Sequence, residues 1–333
     1  MTNTQKKSLL LLKKFLARSI RFVPESALTI LEKQITLHQG HTKFPPVFIV
    51  GPARSGTTLI YQTTVYYLKF SYVSNAMKLF PKVPAVAAKS LSYVNGCNPP
   101  NDFMSTYGKT NGWRSPAQGH EIWNRWYPRE MINSNDTLLS EPQRESFKGT
   151  IAYIEKVYNA PFINKWPGFS VFVQELAAMF PDALFVRITR DYLQNAQSIL
   201  KGRYELVGNP NVSISRVPKG YEQFKHRSYT EQVCAYLLGI ESQLNQDMVE
   251  LGNDRFFKIK YEDFCNEPVA MVENIRDWYK QKTGSEIEIR NTNIPNSFKI
   301  SNTLKVKKEE VEALKTCLNS LATEFNINIE KIV

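Results

Sequence analysis

Short apolar runs alternate with longer segments of helical character along the chain. Residues 47–50 form a continuous apolar run and residues 184–188 a nearly continuous one, as in strands buried on both faces. A third strand is predicted at residues 256–260. Helices are predicted at residues 59–68, 171–180, 192–201, 230–251 and 268–280. Strands separated by helices predict an α/β fold, with a parallel sheet covered by helices on both faces.

The domain organisation follows from the absence of a linker. No Gly/Ser-rich or Pro-rich stretch divides the sequence, so we expect a single domain over residues 41–333, preceded by an amphipathic helical extension at residues 1–40. Lys13 and Lys14 interrupt the apolar run before them, which is too short for a secretory or membrane-spanning segment. The basic helix predicted at residues 6–22 packs on the domain surface or, alternatively, attaches weakly to an anionic membrane.

Charge and cysteine usage narrow the choice of partners. The net charge of +11 predicts an anionic partner, but the basic residues cluster only in pairs and no nucleic-acid-binding signature is present. We therefore expect no nucleic acid partner. The four cysteines match no metal-ligand spacing, which predicts free thiols, a cytoplasmic location and no metal.

The strongest local signal is the segment at residues 48–59, which joins a predicted strand to a predicted helix. Glycines at positions 51 and 56 permit tight curvature, and backbone N–H groups at a helix N-terminus bind anions. The spacing fits the phosphate loop G-x-x-x-x-G-K-[ST], except that Thr57 replaces the lysine and the cation is Arg54. A nucleotide kinase or other P-loop NTPase needs that lysine, so this alternative is weakened.

The loop resembles the 5′-phosphosulfate loop of sulfotransferases that use 3′-phosphoadenylyl sulfate (PAPS). The resemblance implies a P-loop-type parallel sheet, sulfuryl transfer from PAPS, release of the desulfated nucleotide PAP and no metal requirement. It makes Arg54 both a catalytic residue and a ligand of the bridging and sulfuryl oxygens. The other expected cofactor ligands in the loop are Ser55, Gly56, Thr57 and Thr58, the last three at the 5′-phosphate.

Two further motifs resemble the same family. Arg190 ends the second strand and Ser198 follows on the next helix, as do the 3′-phosphate ligands of these enzymes; the alternative is a surface arginine paired with Asp191. Tyr192 replaces the proline that is frequent in the family. Tyr261 begins a segment similar to the family's Tyr-Glu-Asp-Leu and is expected near the nucleotide. The segment with Ser297, Lys299, Ser301, Asn302 and Lys305 resembles one that covers the cofactor.

The catalytic candidates beyond Arg54 are less tightly defined. Lys165 belongs to an Asn-Lys-x-Pro segment that resembles one in tyrosyl-protein sulfotransferases; the alternative is a solvated loop lysine. A hydroxyl acceptor needs a general base, for which Glu121 is slightly preferred over His120. Their alternatives are an ion pair between Glu121 and Arg125 and a surface histidine.

The acceptor is expected to bind at residues 95–135, an aperiodic stretch typical of an insertion or lid. Its aromatic residues Trp113, Trp123, Trp126 and Tyr127 stack on an acceptor or belong to the core. Residues 74–76 carry no glutamate, which argues against a protein-tyrosine acceptor. A carbohydrate, a lipid and a small metabolite remain open, with a hydroxyl or amine as the group that accepts. A non-catalytic basic protein that binds polyanions is the other alternative.

Overall fold

The computed structural model describes residues 24–37, 39–95, 99, 102–128, 139–300 and 305–329. The helix predicted at residues 6–22 lies outside these ranges, as do Ser301 and Asn302 and part of the predicted insertion. No helix within these ranges is both long and apolar enough to cross a membrane.

The central sheet has four parallel strands. The strands of the chain are β1 (Val47–Val50), β2 (Ser105–Thr106), β3 (Lys109–Thr110), β4 (Ile163–Lys165), β5 (Leu184–Thr189) and β6 (Phe256–Lys260). The sheet order is β4-β1-β5-β6, and β2 pairs with β3 in a separate antiparallel hairpin. The three predicted strands are confirmed, whereas β4 was not predicted.

Helices surround the sheet. They are α1 (Glu25–Leu37), α2 (Thr57–Tyr67), α3 (Pro84–Asn95), α4 (His120–Trp123), α5 (Glu141–Tyr158), α6 (Val173–Met179), α7 (Tyr192–Val207), α8 (Tyr229–Leu251), α9 (Tyr261–Asn266), α10 (Pro268–Thr283) and α11 (Lys308–Leu321). The helix predicted at residues 171–180 is instead a 3₁₀ turn, Pro167–Val171, followed by α6. Helix α7 runs past residue 201 to a glycine C-cap in the left-handed conformation, Gly208.

The two faces of the sheet bury separate cores. Along β1, Phe48 and Val50 pack in the core shared with α5, α7, α8 and α11, whereas Val47 and Ile49 pack in the core shared with α2 and α10. This alternation follows from the two-residue period of a strand. The prediction of a parallel sheet covered on both faces is therefore confirmed.

Helix α1 packs on the main body through a buried carboxylate. Glu32 is buried and accepts hydrogen bonds from the backbone N–H groups of Ala85 and Val86, 3.0 and 2.9 Å away, at the start of α3. Burial raises the pKa of Glu32, and these bonds together with the nearby Arg125 oppose that rise. The division into an extension at residues 1–40 and a domain at 41–333 stays a prediction.

Candidate functional site

The carboxyl ends of the four parallel strands lie along one edge of the sheet. The loop predicted to bind phosphate follows β1, Lys165 ends β4, Arg190 follows β5 and Tyr261 follows β6. Parallel strands place all these ends on the same side, which is where ligands bind in open α/β sheets.

The loop between β1 and α2 is tightly curved. Gly51, Arg54 and Gly56 have φ values of 150°, 68° and 92°, of which the value at Arg54 is unusual for a residue with a side chain. A Cβ atom at Gly56 would lie 2.1 Å from a ring carbon of Tyr261, and one at Gly51 would lie 2.5 Å from the carbonyl oxygen of Ile188. Both positions therefore need glycine, because neighbouring atoms come too close for a side chain.

Three buried residues hold this loop in place. The Ser170 hydroxyl accepts from the Gly51 N–H and donates to the Gly51 carbonyl, 2.9 Å away in each case. The Tyr236 hydroxyl accepts from the Ala53 N–H at 3.0 Å, and the Asn195 amide donates to the Ala53 carbonyl at 2.8 Å. None of the three was predicted from sequence. Together they fix the loop backbone before any ligand binds.

Arg54 connects the loop to the second predicted motif. Its Nε donates to the Ser198 hydroxyl across 3.3 Å, and its carbonyl accepts from Arg190 Nη1 across 3.1 Å. The two guanidinium groups lie over aromatic rings, Arg54 over Tyr107 at 4.6 Å and Arg190 over Tyr261 at 4.5 Å. The structure thus brings together Arg54, Arg190, Ser198 and Tyr261, which are widely separated in sequence.

The hydroxyl residues of the loop differ in their surroundings. Ser55 is buried, and its hydroxyl donates to the Pro52 carbonyl 2.8 Å away, inside the loop. Thr57 and Thr58 form the first turn of α2, where backbone N–H groups have no partner within the helix. The first turn of α2 therefore presents donors to an anion.

Asp191 has a structural role beside Arg190. Its carboxylate caps α7 by accepting from the Gln194 N–H at 2.8 Å, and its own N–H donates to Glu262 Oε1 at 3.2 Å. The capped helix orients its inner face, which carries Ser198, toward Arg54.

Lys165 is not a solvated loop lysine. It is the last residue of β4, pairs in register with Ile49 and is only 5% exposed. Burial and, to a smaller extent, the positive charge of Arg54 lower the pKa of its ammonium group to about 7. The side chain therefore lies in the same electrostatic environment as the loop arginine.

A further cation, Lys305, lies near Arg190 and Arg54. Lys305 donates from Nζ to the Gln194 side-chain carbonyl at 3.2 Å, and its pKa is lowered to about 8 by burial and by Arg190 and Arg54. Of the segment predicted to cover the cofactor, Ser297 and Lys299 are exposed, whereas Lys305 is half-buried. Burial and the neighbouring charge of Arg190 also lower the pKa of Arg54. Such clustered cations create a strong preference for an anionic ligand.

The candidate bases His120 and Glu121 line a pocket next to Arg54. The pocket is small, about 60 Å³, and open to solvent, and it is also lined by Tyr107, whose ring contacts Arg54. His120 Nδ1 lies 3.3 Å from Glu121 Oε2. The expected alternative, an ion pair between Glu121 and Arg125, is wrong, because Arg125 lies 3.6 Å from the buried carboxylate of Glu32.

One wall of this pocket is attached to the sheet by Asn164 of β4. Its amide donates to the Ala117 carbonyl at 3.1 Å, and its carbonyl accepts from Trp123 Nε1 at 3.1 Å. Trp123, Trp126 and Tyr127 are fully or almost fully buried in the core, and Trp113 packs against that core. Trp123, Trp126 and Tyr127 are therefore structural residues rather than an acceptor platform.

Comparison with known proteins identifies the family. A sequence model described as "Sulfotransferase family" matches residues 45–282. The chain belongs to the sulfotransferase family. No match to this sulfotransferase is found among curated proteins.

Solved structures of bacterial sulfotransferases share the fold. Sulfotransferase STF9 from Mycobacterium avium matches with a TM-score of 0.55 and 15% identity, over 91% of this chain and 86% of that one. Sulfotransferase STF1 from Mycobacterium tuberculosis matches with a TM-score of 0.50 and 15% identity, over 89% of this chain and 82% of that one. At this level of identity the likeness shows the fold alone.

Proposed function

We propose that this sulfotransferase moves a sulfuryl group from PAPS to a hydroxyl or amine of an acceptor and releases PAP. The observation that supports the proposal most directly is the 3.1 Å hydrogen bond from Arg190 to the Arg54 carbonyl. This bond joins two motifs, the loop after β1 and Arg190 after β5, into one continuous surface. The two motifs resemble the two phosphate-binding elements of PAPS-dependent enzymes. A single nucleotide with a phosphate group at both ends of its ribose fits such a surface.

The residues present fit this donor. The N–H groups at the start of α2, with the hydroxyls of Thr57 and Thr58, would hold the 5′-phosphate. Arg190 and Ser198 would hold the 3′-phosphate, since a guanidinium and a hydroxyl together supply several donors. Tyr261 lies over Gly56 and under Arg190, where it would contact the nucleotide.

Arg54 and Lys165 are the residues we propose to stabilise charge at the reacting group. In the transfer, the bond from sulfur to the phosphate oxygen breaks while the bond from sulfur to the acceptor oxygen forms, so negative charge builds on the leaving phosphate. Two cations held in place before the reaction stabilise that charge. A bound anion next to Lys165 raises its pKa above about 7, which keeps the ammonium protonated.

The acceptor proton needs a base, and Glu121 is the one we propose. Its Oε2 is buried and accepts no hydrogen bond from the residues that the structure describes, although the His120 ring lies 3.3 Å away. Glu121 also lines the pocket, where its carboxylate would accept the proton of a bound hydroxyl. His120 would orient the carboxylate and is itself the alternative base.

The remaining expectations stay predictions. They are a single domain over residues 41–333 with an acceptor-binding insertion at 95–135, a cytoplasmic location, no requirement for metal, no nucleic acid partner, and surface packing or weak membrane attachment of residues 6–22. In the described part of the chain, no three His, Cys, Asp or Glu side chains cluster closely enough to hold a metal ion.

Calorimetric titration separates this proposal from the two alternatives. PAP should bind tightly in EDTA, whereas a P-loop kinase or NTPase would bind ATP only with magnesium and ignore PAP. A non-catalytic polyanion-binding protein would bind heparin but would not consume PAPS in the presence of any acceptor. Binding of ATP–magnesium without binding of PAP would contradict the proposal.

A further inference from the structure

The pocket beside Arg54 is lined mostly by residues with polar side chains. Its lining residues are Asn75, Lys78, Tyr107, Gly108, Lys109, Ala117, Gln118, Gly119, His120 and Glu121. Ala117 contributes the one aliphatic side chain in this set. Pockets for apolar ligands are lined mainly by aliphatic and aromatic side chains, so this lining disfavours a lipid or a simple phenol.

Two lysines from different elements enter the pocket. Lys78 lies in the 3₁₀ turn Met77–Leu79, and Lys109 lies in β3 of the hairpin. In the part of the chain that the structure describes, neither ammonium group forms an ion pair with a carboxylate. The acidic side chain of the pocket, Glu121, lies instead against His120. The pocket thus carries two positive charges against the one negative charge of Glu121.

A buried acceptor atom without a hydrogen-bond partner among the described residues, Asn75 Oδ1, supports binding of a hydroxylated ligand. Asn75 is only 8% exposed, and its amide nitrogen donates to the carbonyls of Thr110 and Gly112. Its carbonyl oxygen Oδ1 has no hydrogen-bond partner among the described residues. A buried acceptor without a partner is costly, and a ligand hydroxyl would satisfy it. The Tyr107 ring adds a flat surface of the kind on which sugar rings stack.

We propose that this pocket selects an acidic saccharide as the acceptor, with its anionic group at Lys78 and Lys109 and a hydroxyl directed to Glu121. This inference rests on the proposed sulfuryl transfer and narrows its acceptor class. The Tyr107 ring contacts Arg54, so a sugar in the pocket lies next to the group proposed to stabilise the sulfuryl oxygens.

A matched pair of acceptors tests the charge selection. 4-Nitrophenyl β-glucuronide and 4-nitrophenyl β-glucoside differ only in a carboxylate against a hydroxymethyl group. With PAPS as donor, PAP release should show a kcat/KM for the glucuronide that is about three- to fivefold higher, the effect of an ion pair near the protein surface. The variant Lys78→Met/Lys109→Met should lose this preference through a raised KM for the glucuronide, with the glucoside unchanged.

The controls keep the outcomes distinct. Lys69→Met removes a lysine that pairs with Glu288 away from the pocket and should keep the preference. PAP affinity should be the same in all these proteins, and loss of PAP binding in the wild type would contradict the transfer function itself. If PAP binding is intact, three results would overturn the acceptor proposal. The wild type could prefer the glucoside or 4-nitrophenol, or it could sulfate neither sugar. The third result is a double variant that still prefers the glucuronide.

Discussion

Arg190 donates a hydrogen bond to the backbone carbonyl of Arg54 across 3.1 Å, and this contact joins the ends of two neighbouring strands. Strand β1 lies next to β5 in the sheet, so the loop after β1 and the residue after β5 are adjacent in space. The same loop residue contacts Ser198 on α7 through its side chain. Arg54 is therefore in contact with both parts of the proposed 3′-phosphate site.

Arg54→Ala should reduce turnover far more than nucleotide affinity. We expect kcat to fall by about 10²–10³, the usual cost of removing one preorganised donor at a developing negative charge. PAP lacks the sulfuryl group, so its dissociation constant should rise by less than kcat falls. Initial rates of PAPS consumption and calorimetric titration of PAP measure the two effects. Equal losses in both would place Arg54 in nucleotide binding alone.

Arg255→Ala is the matched control for the arginine variants. Arg255 also donates to a backbone carbonyl, that of Ala183 at 2.8 Å, and its guanidinium lies 5.8 Å from the Phe185 ring. It lies at the opposite end of the sheet, immediately before β6. This variant should lose thermal stability without losing PAP affinity.

Gly56→Ala should abolish PAP binding, because the added methyl group meets Tyr261. The added Cβ would lie 2.1 Å from a ring carbon, so the ring must move, and it lies under Arg190. Gly220→Ala is the matched control, since Gly220 has a similar φ of 80° but no atom within 4 Å of the added Cβ. Both variants carry the left-handed backbone cost of about 1–2 kcal/mol. Equal PAP affinity in both would contradict the close-approach argument.

Tyr236→Phe should weaken PAP binding through the loop rather than by direct contact. The substitution leaves the Ala53 N–H without its acceptor at 3.0 Å, and an unsatisfied buried donor costs about 1–3 kcal/mol. Tyr279→Phe removes a comparable hydroxyl, which donates to the Pro45 carbonyl at 3.0 Å, remote from the loop. Both variants should lower the melting temperature, and only Tyr236→Phe should lower PAP affinity. Unchanged PAP affinity in Tyr236→Phe would count against this role.

Affinity for PAPS should fall as the pH rises from 7 to 9. The free protein holds Lys165 at a pKa of about 7 and Lys305 at about 8, and a bound anion raises both values. Each ammonium group contributes fully to PAPS binding at a pH below its pKa in the free protein, and its contribution declines as the pH rises above that value. Each proton taken up changes the dissociation constant by up to about tenfold per pH unit. The 3′-phosphate of PAPS is largely ionised over this range, because the second pKa of a phosphate monoester is about 6, and the 5′-phosphosulfate has no second proton to lose.

Calorimetry in buffers of different ionisation enthalpy measures that proton uptake directly. Lys165→Met should flatten the pH dependence in part, and Lys165→Met/Lys305→Met should flatten it fully. A wild-type affinity that stays constant from pH 7 to 9 would show that neither lysine faces the donor.

The parts of the fold that could be predicted are those marked by a pattern of neighbouring residues in the sequence. The strands β1 and β5 are apolar or nearly apolar runs, and β6 begins with Phe256 and Phe257. The loop, Arg190 and Tyr261 follow these three strands directly. Because parallel strands end on the same side, the order of strands and helices along the chain is enough to assign residues at strand ends to one edge.

Strand β4 escaped prediction because two of its three residues are polar. Asn164 and Lys165 are both buried, yet neither belongs to an apolar run. The Asn164 side chain satisfies its polar atoms with Tyr61, Ala117 and Trp123, which are distant in sequence. Such long-range bonds leave no local pattern, so the sequence left a solvated loop lysine open as the alternative for Lys165.

The residues that hold the phosphate loop were missed for the same reason. Ser170 and Tyr236 lie 119 and 183 positions from their partners in the loop.

The role of the aromatic residues at 95–135 could not be decided from sequence, because amino-acid composition does not distinguish a surface that stacks on a ligand from a buried core. The structure assigns Trp123 and Trp126 to the core.

A titration of two nucleotides against two proteins tests the central claim most directly. PAP and AMP differ by the 3′-phosphate, and calorimetry in EDTA gives the dissociation constant of each for the wild type and for Arg190→Ala. We predict that the wild type prefers PAP, and that Arg190→Ala loses about 1.5–3 kcal/mol of PAP binding while AMP binding changes little. Two results would contradict the claim that one nucleotide spans Arg54 and Arg190. One is a wild type that binds PAP and AMP with equal affinity, and the other is an Arg190→Ala variant that loses as much affinity for AMP as for PAP.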